Sequence, residues 1–138
     1  MGHKRKVLFI CTHNSARSQM AEGLLRAAYA DRYDAYSAGT QPTAVSPYAI
    51  RVMAEIGVDI SHERSKSVDE FRGLEFDHVI TLCDQARESC PVFLAGKQQL
   101  HQSFEDPAIV QGTEDQLLAA FRRSRDDIRQ WIAQTFAP

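Results

Sequence analysis

The sequence predicts an α/β protein in which a parallel sheet is covered by helices on both faces, folded as one domain over residues 1–138. Three observations predict it. Short apolar runs alternate with segments whose apolar residues recur at helical spacing. Cys11, Cys83 and Asp106 each fall where such a run ends, the edge at which parallel sheets bind ligands. A chain of 138 residues can bury one proper core and is too short for two ordinary domains.

The elements follow in order. Lys6 to Ile10 is a strand whose continuous Val7, Leu8, Phe9 and Ile10 fits burial on both faces. A polar turn follows, and from Ala16 onward Met20, Ala21, Leu24, Leu25 and Ala28 share one helical face. Tyr33 to Ala38 is a second strand, broken by Gly39 and Pro42. Ser46 and Pro47 are a cap and a first-turn proline, opening a helix with Ala49, Ile50, Met53 and Ile56 on its apolar stripe until Gly57 stops it. A brief helix opens at Ser67 with Glu70 as its capping-box partner, and Asp77 to Leu82 is the third strand, with Cys83 at its carboxyl end. Asp84 to Ser89 has helical composition and meets Pro91, and a weak strand surrounds Leu100. Thr113 and Gln116 make a capping box for a long final helix carrying Leu117, Leu118, Phe121, Ile128 and Ile132, with Trp131 and the helix's other aromatic residues in the core.

Hydrophobic residues make up 43% and charged residues 25%, the composition of a soluble globular protein. The basic start, Met1 to Lys6, precedes an apolar run too short for a secretory signal, so the expected compartment is the cytoplasm and no membrane is involved. In a reducing compartment three cysteines mean chemistry or metal binding more often than a disulfide framework. The net charge of −2, with signs mixed along the chain, excludes the basic stripe of a nucleic-acid binder. An anion must therefore be bound locally.

Such a place lies between the first strand and first helix, where Cys11, Thr12, His13, Asn14, Ser15, Ala16, Arg17 and Ser18 spell cysteine, five residues, arginine, serine. Backbone N–H groups at a helix start are unpaired and carry the positive end of the helix dipole, so a loop wrapped there can ring a tetrahedral oxyanion. Arg17 adds a planar fork for two parallel hydrogen bonds. The same field favours the nucleophilic thiolate at Cys11, and the Ser18 hydroxyl can donate to that sulfur. Asn14 is expected to shape the loop through bonds to its backbone, whereas His13 and Ser15 read as loop residues facing solvent. Cys83 and Cys90, with six residues between them, read as two unrelated semi-buried residues or as a metal site with His101. Asp106 before Pro107 reads as a turn opener at the same sheet edge.

With these residues the sequence resembles the low-molecular-weight tyrosine phosphatase fold, and within it the thioredoxin-coupled arsenate reductases. The likeness spans nearly the whole chain: the loop Cys11 to Ser18, the following Gln19, Met20, Ala21 and Glu22, the run Tyr36, Ser37, Ala38, Gly39, the pair Cys83 and Cys90, and Asp106, Pro107, Ala108. It implies a three-layer α/β/α domain whose four-stranded parallel sheet has the order 2-1-3-4, with strands counted along the chain. It implies arsenate as substrate, with phosphate or sulfate as competing anions, no cofactor, a monomeric enzyme and thioredoxin as electron donor. The resemblance further implies that Cys11 attacks arsenic, Asp106 protonates the departing oxygen, Cys83 attacks Cys11, and Cys90 then takes over Cys83.

If residues 83–90 were continuous helix, the two Cα atoms would lie roughly 10.5 Å apart, beyond the ~7 Å that a disulfide spans, so the segment must unwind on oxidation. Some relatives also bind potassium behind the loop through residues matching Asn14, Glu22, Ser37 and an aspartate, which here falls at or beside Lys66. Either the Lys66 ammonium stands in for the ion, neutralising Glu22, or it is a solvated surface lysine. Competing readings are a phosphomonoesterase, against which Ala108 stands where a phosphatase places an aromatic residue, and a non-enzymatic oxyanion or redox sensor. Mycothiol- or glutaredoxin-coupled relatives use similar loops, and the further cysteine, Cys90, favours thioredoxin.

Overall fold

The computed structural model describes residues 4–89 and 98–136. Four strands, β1 (Arg5–Cys11), β2 (Tyr33–Gly39), β3 (His78–Thr81) and β4 (Gln98–His101), form one sheet in the order β2-β1-β3-β4, and every pairing is parallel. This is the architecture and order that the sequence led us to expect. The central β1 is apolar on both sides because it is covered on both: Val7, Leu8, Phe9 and Ile10 are fully buried.

Alternation along the strands sends neighbours to opposite faces. Val7, Phe9, Ile80 and Leu82 enter a large cluster with residues of α1 (Arg17–Tyr29), α2 (Pro47–Ala54) and α4 (Glu114–Phe136), among them Met20, Met53, Phe121 and Ile128. Leu8, Ile10 and Val79 enter a second cluster with Val68 and Phe71 of a 3-10 turn, Phe76, and Ala86 of the short α3 (Asp84–Ser89). Trp131 is partly buried against the first cluster, edge-on to Phe9 and Phe104. Among the described residues no helix is long and apolar enough to cross a membrane.

Local chemistry sets the helix ends. Ser46 accepts from the Ala49 N–H at 3.4 Å with Pro47 in the first turn of α2, and Gly57 takes a left-handed φ of 78° where the chain turns away. Thr113 and Gln116 form a reciprocal capping box: the Gln116 N–H donates to the threonine hydroxyl at 3.2 Å, and the Thr113 N–H donates to the glutamine side chain at 2.8 Å. The element after Ser67 is a 3-10 turn, Val68–Phe71, so the serine hydroxyl takes the Asp69 N–H, one residue short of the position a capping box would use. The Glu70 carboxylate takes a backbone hydrogen bond from Ser67, the return half of the expected capping box, and also binds the Arg64 guanidinium, whose fork offers two charged donors.

Candidate active site

Residues 12–16 wrap the space between the end of β1 and the start of α1. The β2–α2 connection takes up the loop's carbonyls: Thr40, Gln41, Thr43 and Ser46 donate their N–H groups to the carbonyls of Cys11, Thr12, His13 and Ser15. Because each peptide is planar and trans, carbonyls engaged on one side turn amides to the other. Gly39 makes this approach possible, since a Cβ there would lie 2.7 Å from the Thr12 carbonyl and 2.9 Å from the Asn14 nitrogen. Asn14 has a φ of 50°, a left-handed conformation that asparagine tolerates well, and the bend it makes closes the loop.

Asn14 is fully buried and ties the loop from inside. Its Oδ1 accepts from the Lys66 backbone N–H at 2.8 Å and from Gln19 Nε2 at 2.9 Å, while its Nδ2 donates to Ser18 Oγ at 2.7 Å. That last bond has a chemical consequence. With Ser18 Oγ already accepting, its own proton is free for Cys11 Sγ, which lies 2.9 Å away, and the Asn14 N–H approaches the same sulfur at 3.3 Å. Cys11 is 2% exposed, at the floor of the loop.

Unlike α2, α1 has no side-chain cap, and among the described residues the N–H groups of Ser15 and Ala16 meet no protein acceptor. Unpaired amides at a helix start are a place where an anion can be held. Arg17 flanks them with its side chain 10% exposed; its Nη1 donates to the Phe104 carbonyl at 3.2 Å and its Nη2 lies 3.6 Å from Asp106 Oδ2. Asp106 uses its other oxygen to cap the 3-10 turn Pro107–Ile109, accepting from the Ala108 N–H at 2.9 Å. The Asp-Pro turn therefore aims one carboxylate oxygen at the loop's arginine.

Cys83, 7% exposed, follows β3, and its sulfur lies 3.3 Å from the hydroxyl of Thr12, the residue after Cys11. Cys11, Thr12, Arg17, Ser18, Cys83 and Asp106 are thus brought to one sheet edge. His13 is exposed, its Nδ1 3.0 Å from the Gln41 carbonyl, and Ser15 is half-buried. Cys90 lies outside the described residues, so its expected partnership with Cys83 is not part of this geometry. Gln19 was not singled out for the loop, although it donates to Asn14 Oδ1 and to the Arg64 carbonyl at 2.8 Å. Its place one turn into α1 is the signal that could have found it.

Behind the loop Glu22 is almost completely buried, and burial pushes its carboxyl above the usual range against the pull of Lys66. Lys66 Nζ lies 3.9 Å from Glu22 Oε1 and donates to the Arg64 carbonyl at 3.1 Å, with its side chain 12% exposed. Arg26 reaches the other Glu22 oxygen at 3.1 Å and Glu63 at 2.9 Å. Lys66 is therefore not a solvated surface lysine. The residues do not fit a bound potassium ion, because an ammonium already faces the buried carboxylate. Ser37 is fully buried beside this group, and its hydroxyl helps to oppose the upward push of burial on the Glu22 carboxyl.

Residues 6–137 match the family described as low molecular weight phosphotyrosine protein phosphatase. Arsenate reductase of Halalkalibacterium halodurans is 43% identical over 135 residues, 98% of this chain and 96% of that one. Arsenate reductase of Bacillus subtilis is 41% identical over 122 residues, 88% of each chain. A solved arsenate reductase in its phosphate-binding state superposes with a TM-score of 0.83 at 32% identity, covering 96% of this chain and 97% of that one.

Proposed function

The chain belongs to the low molecular weight phosphotyrosine protein phosphatase family, and from that premise we propose that it reduces arsenate to arsenite. The observation that carries the reading is a second buried thiol at the loop: Cys83 Sγ lies 3.3 Å from Thr12 Oγ1, beside the nucleophile that hydrolysis of a phosphate ester would use alone. Two-electron reduction needs two thiols.

In the proposed reaction arsenate sits on the amides of Ser15 and Ala16 against the Arg17 guanidinium, in line with Cys11 Sγ. The Cys11 thiolate attacks arsenic, and Asp106 protonates the oxygen that leaves as water. Cys83, as thiolate, then attacks Cys11 Sγ; the new S–S bond forms as the S–As bond breaks. The electron pair stays on arsenic, which departs as arsenite. Cys90 next attacks Cys83 Sγ and frees Cys11 as thiolate, leaving a Cys83–Cys90 disulfide. Arsenate plus two thiols gives arsenite, one disulfide and water, and thioredoxin returns the two electrons. Thr12, His13 and Asn14 complete the oxyanion loop, and Glu22, Ser37 and Lys66 brace it from behind. The enzyme acts as a cytoplasmic monomer.

The test follows NADPH consumption with arsenate, thioredoxin and thioredoxin reductase. Wild type is expected to turn over repeatedly, and the serine variants of Cys11, Cys83 and Cys90 are expected not to. Asp106→Asn should lower turnover by roughly 10²-fold or more while leaving phosphate affinity nearly unchanged. Full activity of a Cys83→Ser variant, or hydrolysis of aryl phosphates without arsenate turnover in the wild type, overturns the reading in favour of a phosphatase.

A further inference from the structure

The last residue of β4 grips the chain on both sides of Cys83. His101 pairs in register with Thr81, and its Nδ1 lies 2.7 Å from the Thr81 hydroxyl. The other ring nitrogen, Nε2, lies 2.8 Å from Oδ1 of Asp84, the first residue of α3. Ser103 Oγ donates to the same carboxylate oxygen at 2.9 Å. Thr81 and Asp84 bracket Leu82 and Cys83, so one imidazole holds the residues before and after the cysteine segment. The ring is sheltered, with 20% of the side chain exposed, whereas Asp84 stands 71% exposed at the surface. An exposed aspartate gains little from its own packing, so these hydrogen bonds are what fix it.

We propose that His101, Asp84 and Ser103 are positioning residues for the second sulfur. They anchor the Cys83 end of α3 to β4, so that the helix opens from its far end while Cys83 stays beside the loop. The proposal rests on the thiol relay given above. In that relay the Cys83 sulfur acts twice, first as nucleophile toward Cys11 and then as the atom that Cys90 attacks, and the helix must unwind between the two exchanges. A six-residue helix has no independent stability to hold its start in place while its end departs. Nor does the Thr12 contact, a weak hydrogen bond to sulfur at 3.3 Å, suffice to restrain the backbone. The side-chain anchor supplies that restraint. The Asp84 carboxyl is held below the usual range by the His101 bond first and the Ser103 bond second, which favours its charged, accepting form.

The experiment compares wild type with Asp84→Asn, His101→Gln and the milder Ser103→Ala. Reduced, anaerobic protein is mixed with arsenate in a single turnover without thioredoxin. Arsenite release and the Cys11–Cys83 and Cys83–Cys90 disulfides are followed by acid quench, alkylation and mass spectrometry. Loop integrity is read separately as the affinity for inorganic phosphate. The expected result is that Asp84→Asn and His101→Gln form the Cys83–Cys90 disulfide roughly ten-fold more slowly, Ser103→Ala less so, with phosphate affinity unchanged in all three. Wild-type disulfide rates in the variants overturn the anchor and leave the relay standing. Equal losses of phosphate affinity and disulfide rate also overturn it, since the role is then merely structural. A wild type that forms no Cys83–Cys90 disulfide with arsenate overturns the relay itself, and the anchor with it.

Discussion

The two faces of the sheet are packed to different depths. Under α1, α2 and α4 the large cluster joins Val7, Phe9, Met20, Leu25, Met53, Phe121 and Ile128, with Trp131 and Phe136 edge-on around Phe9. On the other face, among the described residues, a smaller cluster of Leu8, Ile10, Val79 and Phe76 lies under a 3-10 turn and the short α3, and it is this cluster that contains both Cys11 and Cys83. The difference separates two tasks. The loop is held by Ser18 and Gln19 of α1, which is rooted in the deep cluster, whereas the second thiol sits on the shallow one, under a short helix with fewer buried neighbours.

If depth of packing separates the tasks, truncating each face should show it. Phe9→Ala, at a fully buried position, is expected to cost about 4 kcal/mol in denaturant unfolding. Phe71→Ala, 7% exposed and stacked edge-on with Tyr36 and Phe76, should cost roughly half of that because its site can collapse. Equal costs would mean that the two faces form one cooperative core and that the thiol side has no separate freedom.

A second substitution asks whether the loop depends on the close approach of β2. Gly39→Ala puts a methyl 2.7 Å from a backbone carbonyl and 2.9 Å from a backbone nitrogen, neither of which can swing aside like the end of a side chain. The expected cost is about 2 kcal/mol of stability and a loss of phosphate affinity of about ten-fold or more, read by calorimetry. A variant that binds phosphate as wild type does would show the loop to be set by α1 alone.

Gly39 also marks where the sequence stops being legible. In one dimension it reads as a strand breaker, and only the pairing of β2 with β1 reveals that its missing Cβ makes room for the loop. Features carried by local chemistry were readable: the apolar run of β1, the Ser46 and Thr113 caps, and the loop from Cys11 to Ser18 ahead of an amphipathic helix. Features made by residues distant in sequence were not. His101 was weighed as a metal ligand, yet its nitrogens are taken by Thr81 and Asp84 because β4 lies beside β3. The Lys66 question was posed by the sequence, and only the fold brings the lysine to a buried Glu22.

Lys66→Met sharpens the comparison at the back of the loop, where burial is deep but the contents are charged. Removing the ammonium leaves Glu22 to Arg26 alone, and the expected loss is about 1 to 2 kcal/mol, below the full cost of breaking a buried pair because Arg26 remains. The Glu22 carboxyl should rise further, since Lys66 is what chiefly opposes its desolvation. Wild-type activity should be the same in potassium and sodium salts at equal ionic strength. A several-fold preference for potassium in the wild type would mean that the lysine does not supply the charge this region needs.

The smallest expected effect lies at the margin of the deep face, where Glu55, at the end of α2, meets Arg122 and Arg125 of α4 at 2.7 and 2.9 Å. Hydrogen bonds from Arg122, with a contribution from Arg125, lower the Glu55 carboxyl to about 2. Its unfolded value is near the ordinary ~4.3, so the unfolded chain takes up this proton first as pH falls. The ion pairs therefore stabilise the fold fully above that value, and the contribution fades between roughly pH 4.5 and 2. Glu55→Gln should flatten the pH dependence of stability in that window and change little else. Because Glu55 and Arg122 are open to solvent, the difference between variant and wild type should also narrow in high salt. Identical acid-unfolding curves for the two proteins would show that the Glu55 ion pairs add nothing to the joint between α2 and α4, which the Arg125 bond to the Val52 carbonyl and the apolar contacts then hold.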